Sequence, residues 1–212
     1  MHNKLLFQAA AAAALVAFLC TLVMGFVVRS PDPALSLQPS TPSGTTAEFI
    51  KVINTYPQLM LRFFTADSLF VLSYLVVFFG LFVVASERSF PLAWLGLGAG
   101  ILAAILDATE NAFFINYALL VANGVPLTDP ELPLIYHIAN LKYMAAFAAF
   151  YAFGLVFPRQ NWLGWVISVL MLAFPLIGVL GNLSPLLYEV RGLFLLVGMA
   201  LFCWYFLQRT RA

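Results

Sequence analysis

Two carboxylic acids stand three residues apart in Leu106-Asp107-Ala108-Thr109-Glu110-Asn111, inside a stretch that is otherwise apolar. At helical spacing Asp107, Glu110 and Asn111 are i, i+3 and i+4, so they share one face. Phe114 and Tyr117 continue that face. Neighbouring carboxylates repel unless a cation, a proton or a ligand joins them. The pattern therefore points to one of three kinds of chemistry: holding a cation, exchanging a proton, or acid–base work on a bound substrate.

Other polar residues sit in equally apolar surroundings. Asp67 shares a helical face with Tyr74. His137, Asn140 and Lys142 fall in one apolar segment, and Tyr188, Glu189 and Arg191 in another. Lys142 aligns with Ala145, Ala146 and Ala149, a small-residue stripe that admits a close neighbour and so turns Lys142 toward the protein interior. Asn140 points nearly the opposite way. Arg191 aligns with Phe194 and Gly198, and Glu189 is turned away from it.

Asp67, Asp107, Glu110 and His137 could in principle hold a divalent cation. There is no histidine pair at i, i+4, and no metal or other cofactor is assigned. Lys142 beside carboxylates stays charged, which argues against a Schiff-base lysine. The run Gly96-Leu97-Gly98-Ala99-Gly100 resembles a nucleotide-binding loop only in spelling; without a preceding strand it is a helix-packing face.

The elements that must position these residues follow from composition. Of the 212 residues 63% are hydrophobic and 9% charged, with a mean hydropathy of +0.98. A soluble domain carries about 25% charged residues, so hydrocarbon must cover most of this surface. The net charge of +1 and the lack of basic runs leave no basis for nucleic-acid binding. Cys20 and Cys203 both fall in apolar runs and do not suggest a disulfide framework.

In lipid a spanning segment must satisfy its own backbone, and about 20 residues cross the hydrocarbon core. Six segments qualify: 5–28, 63–85, 91–122, 134–157, 162–180 and 186–207. The expected fold is all-α, a polytopic integral membrane protein with one transmembrane domain over 1–212 and a bundle of six helices. Pro91 and Pro158 mark boundaries, and Pro175 should kink the fifth segment. The first segment is read as an uncleaved signal-anchor helix, being about twice as long as a secretory h-region. The loop 29–62 begins as an irregular Pro/Ser/Thr-rich stretch. Its second part, Ala47 to Arg62, reads equally as a linker or as an interfacial segment over the bundle's mouth, with Pro57 interrupting any single helix.

Lys4, Arg88, Arg159, Arg209 and Arg211 collect on one side of the bundle against Glu87, while Asp129 and Glu131 fall on the other; Lys51 and Arg62 are exceptions, in the longest loop, where the rule is weakest. The positive-inside rule then places both termini in the cytoplasm of a cell-membrane protein. In that topology the charged residues of the second, third, fourth and sixth segments lie at similar depth in the outer half, and the inner half is apolar. An ionisable side chain at mid-bilayer costs about 2.5 kcal/mol or more, so these should face one another or water. The expectation is an outward-facing polar pocket formed by Asp67, Asp107, Glu110, Asn111, His137, Lys142 and Arg191. It would bind or transport a small polar or amphiphilic ligand. Two alternatives are a membrane-embedded enzyme acting on a lipid or lipid-linked substrate, and an accessory subunit whose charge network is structural. The partners implied are the lipid bilayer, a small-molecule or lipid ligand and, under the last reading, another membrane protein.

Overall fold

The computed structural model describes residues 2–28, 46–128, 132–181 and 185–211, and the described residues form helices joined by short connections. In chain order these are α1 (His2–Val28), α2 (Thr46–Thr55), α3 (Pro57–Ser86), α4 (Phe90–Ala122), α5 (Leu132–Val156), α6 (Trp162–Leu180) and α7 (Pro185–Arg211). All but α2 are long and apolar enough to cross a membrane. They are apolar nearly all round, as befits helices solvated by lipid on one side and by one another on the other. Leu72, Ile105, Leu141, Leu176 and Leu193 are each more than half exposed and make up the surface that hydrocarbon covers.

The six long helices close into a ring. Each packs on the next, and α7 returns to pack on α1, where Phe7 and Phe206 stack with ring centroids 6.0 Å apart. Both termini therefore lie at one end of the bundle. Toward that end the ring is filled by aromatic side chains. Phe78 of α3 meets Phe150 and Phe153 of α5 at 5.4 and 6.0 Å, and Phe150 meets Phe174 of α6 at 5.1 Å. Two glycines of α4 make this packing possible. A Cβ on Gly96 would stand 2.8 Å from the Phe153 ring, and one on Gly100 would stand 2.5 Å from Phe78. Gly98 has nothing near it, because two residues on a helix point about 200° apart. The expected packing face is thus Gly96 and Gly100 without Gly98.

Helix boundaries match the expected spans for α6 and are longer elsewhere. The largest shift is in α3, which starts at Pro57 rather than Phe63. Proline at the first helical position has its φ preset and its missing N–H is not needed there, so Pro57 opens α3 instead of merely breaking an earlier helix. The loop 29–62 accordingly holds α2 and the first turns of α3; residues 29–45 lie outside the described residues. α2 packs across the ends of the long helices. It buries Phe49, Val52 and Ile53 with Met60, Phe63 and Phe64 of α3, Phe114 of α4 and Ile135 of α5. Asn54 fastens it to the α4–α5 connection: its Nδ2 donates to the Leu127 carbonyl at 2.9 Å, and the Leu127 N–H donates to its Oδ1 at 2.8 Å. Pro175 sits inside α6, which continues past it. Asp129, Glu131 and the side chains of Tyr188 and Glu189 lie outside what is described.

Candidate functional site

The polar residues form a layer between two apolar masses. Helical rise places Asp67 about 15 Å along α3 from Pro57, and Lys142 about 15 Å along α5 from Leu132. Glu110 lies about 18 Å back along α4 from Ala122, and Arg191 about 9 Å along α7 from Pro185. Their burial is uniform: Asp67 is 8% exposed, Asp107 6%, Glu110 4%, Asn111 1%, Lys142 9% and Arg191 7%. On the termini side lies the aromatic filling described above, beginning with Phe70, Tyr74 and Phe78 in edge contact along α3. On the other side Phe114 stacks on Phe64 at 4.5 Å and meets Phe49 of α2 at 5.1 Å.

Lys142 is the hub. Its Nζ donates to Asp107 Oδ1 at 2.9 Å and also to Glu110 Oε2. Tyr74 donates its hydroxyl to the second oxygen of Asp107 at 3.1 Å. The Arg191 guanidinium lies over the Tyr143 ring, 3.7 Å from its centroid, and is close enough to act electrostatically on Glu110. Lys142 Nζ is 5.1 Å from the centroid of the same ring, so both cations approach one aromatic side chain. Cation–π attraction strengthens when the cation is desolvated, and both cations here are buried.

Asp67 is different. It lies in the field of Asp107, Glu110 and Lys142 and beside Asn111, but forms no ion pair among the described residues. Neither Nδ2 nor Oδ1 of Asn111 has a hydrogen-bond partner among the described residues; the amide lies beside the Asp67 carboxyl. Leaving a buried amide unpaired costs about 1–3 kcal/mol. Cys20 of α1 is also buried here and close enough to Asp67 to feel its charge. Counting formal charges, three carboxylates face two cations.

Six of the seven expected residues thus lie in one buried layer. His137 does not: it is exposed on α5. The reason is rotation, since five helical residues separate it from Lys142 and place it about 140° away. Asn140 is exposed, as its spacing implies. At the α2 end of the cluster Phe49, Phe64 and Phe114 pack ring on ring. The cap is built from the loop that sequence reading left undecided. Tyr143 and Cys20 were not anticipated in the site. Tyr143 carried only one signal, its place beside Lys142, and Cys20 carried none because it is a lone cysteine in an apolar helix.

At the termini end a second polar group is satisfied locally. Arg159 Nε donates to Ser168 Oγ at 2.8 Å and Arg159 Nη2 to the Gly154 carbonyl at 3.0 Å, which ties the α5–α6 turn. Among the described residues no three His, Cys, Asp or Glu side chains converge as a metal-holding set. No family model matches this chain, and neither a curated protein nor a solved structure does.

Proposed function

We propose that the buried polar layer is a binding site for a small polar or amphiphilic ligand, reached from the end of the bundle where α2 lies. One observation carries this reading: the amide of Asn111, 1% exposed and unpartnered among the described residues at both its nitrogen and its oxygen, lies beside a carboxylate that forms no ion pair among them. A register-fixing network would be expected to close its own hydrogen bonds, because a half-satisfied one is worse than an apolar core. The α2 end is taken as extracytoplasmic because Lys4, Arg88, Arg159, Arg209 and Arg211 all belong to the opposite end. The route in lies under α2, which is held by one asparagine and an aromatic cluster rather than by a long helical interface. The termini side is filled with aromatic packing, so release to that side would need a larger rearrangement. Binding or sensing from one face is therefore the simplest form of the function, and transport requires an additional step.

A structural role is favoured for one part of the layer. Asp107, Lys142, Glu110 and Tyr74 satisfy one another and are suited to fixing the register of α3, α4 and α5. The binding role then falls on Asp67 and Asn111.

Cysteine accessibility tests the reading. In Cys203→Ser protein, Cys20 is the sole thiol. In intact cells a membrane-impermeant thiol reagent should modify it from outside, faster when Phe114→Ala opens the cap. Absence of modification from outside in both proteins, alongside modification by a permeant reagent, would refute access from that face.

A further inference from the structure

Resting on the reading of the polar layer as a binding site, we infer that its ligand is a small organic cation of the amino-alcohol class, a protonated amine with a hydroxyl or ether oxygen nearby. Asp67 and Asn111 would hold it. The charge comes from the balance of the layer. Lys142 is bonded to Asp107 and Glu110, and Arg191 acts on Glu110 while lying over Tyr143. Both cations act on the α4 pair, and Lys142 also acts on Asp67 from a greater distance. Asp67 forms no ion pair among the described residues, so on formal charges the described part of the layer is one positive charge short.

The second element comes from Asn111. A carboxamide presents an acceptor oxygen and a donor NH2, and here both are unmatched. A bare monovalent metal ion would use the oxygen and leave the NH2 orphaned. A primary ammonium with a nearby oxygen uses all three groups: it donates N–H to Asp67 and to Asn111 Oδ1, and its own oxygen accepts from Asn111 Nδ2. A divalent metal is disfavoured because two of the three carboxylates already hold Lys142. The surrounding rings, Phe64, Phe70 and Phe114, suit the alkyl part of such a molecule and the face of its ammonium. This chemistry is shared by a free amino alcohol and by an ethanolamine lipid headgroup entering beneath α2.

The test uses Cys203→Ser protein in phosphatidylcholine nanodiscs, with the rate of Cys20 modification as readout. Ethanolamine is the probe, with methylammonium, ethanol and glycolate as comparators. Ethanolamine should slow modification saturably and methylammonium should do so more weakly; ethanol and glycolate should have no effect. Asp67→Asn should abolish protection. Asn111→Ala should weaken ethanolamine by about tenfold, the value of one buried hydrogen bond, and leave methylammonium less affected. Each variant is first checked for an unchanged helical spectrum and monodispersity. Should Asp67→Asn fail this check, Asn111→Ala carries the test.

Replacing part of the phosphatidylcholine with phosphatidylethanolamine separates the two sources. Protection by the lipid and not by free ethanolamine assigns the headgroup, and the reverse assigns the free molecule. Equal protection by ethanol or glycolate, or protection that survives Asp67→Asn, would overturn the cationic class while leaving a binding site in place. A Cys20 that reacts readily and is protected by none of these probes would overturn the inference. A Cys20 that no aqueous reagent reaches would remove the binding reading as well.

Discussion

Replacing Lys142 with methionine should be among the most damaging single changes in the transmembrane region, and its size can be worked from the geometry. Lys142 Nζ lies 2.9 Å from Asp107 and also bonds Glu110. At that distance and an effective dielectric of about 20, one such pair is attracted by about 6 kcal/mol before desolvation is subtracted. Removing one partner of a buried pair costs about 3–5 kcal/mol net, because the other charge is left uncompensated. Here two carboxylates would be left, and the excess negative charge of the layer would rise from one to two. Lys142→Met should therefore cost at least about 3–5 kcal/mol.

Glu110→Gln is the informative contrast. It removes one of two carboxylate bonds to Lys142 but also cancels the layer's excess charge, so it should fall within about 1 kcal/mol of wild type. The double variant Lys142→Met/Glu110→Gln should recover only part of the loss, because Asp107 keeps its charge and only Tyr74 remains to serve it. Adding Asp107→Asn should recover most of the remainder. Equilibrium unfolding in mixed micelles with increasing dodecyl sulfate gives the four free energies. Two results would refute the reasoning: Lys142→Met indistinguishable from wild type, or Glu110→Gln as costly as Lys142→Met. Either would mean that the pairing seen here does not carry the energy assigned to it.

Four further expectations are open to direct measurement. Gly100→Ala should destabilise by about 1–3 kcal/mol, because its Cβ would stand 2.5 Å from the buried Phe78 ring; Gly98→Ala, with nothing near it, should be neutral or stabilising by up to about 1 kcal/mol. Asn54→Ala removes both bonds to Leu127 and should speed amide hydrogen exchange in α2 while leaving α5 and α6 unchanged; uniform exchange would show that α2 is held by its apolar face alone. Glu87→Gln breaks the Arg209 bridge, whose side chains are 50% and 31% exposed, and should cost less than about 1 kcal/mol in the same unfolding assay, with a salt dependence that vanishes in the variant. Reporter fusions at the two ends of the chain should both report cytoplasm, and activity of a periplasmic-type reporter at the C-terminus would reverse the assigned orientation.

Composition and spacing alone determine much of this protein. Runs of 19 or more apolar residues can satisfy their backbones in hydrocarbon only as helices, so six spans could be read without any tertiary information, and α6 matches to the residue. Helical rotation likewise fixes relations within one segment: Asp107, Glu110 and Asn111 on one face, Lys142 turned inward, Asn140 turned out. Rotation also sets His137 about 140° from Lys142, away from the buried layer despite its similar depth. Relations between segments were not legible, because they depend on which helix lies beside which. No spacing indicates that Lys142 bridges both α4 carboxylates while Asp67 is left with Asn111, or that α7 closes on α1 and brings Arg191 over Tyr143. The cap was undecidable for a related reason. Residues 46–55 are amphipathic enough to lie on any apolar surface, and only the packed ends of α3, α4 and α5, with Leu127 positioned to receive Asn54, give that helix one place to bind.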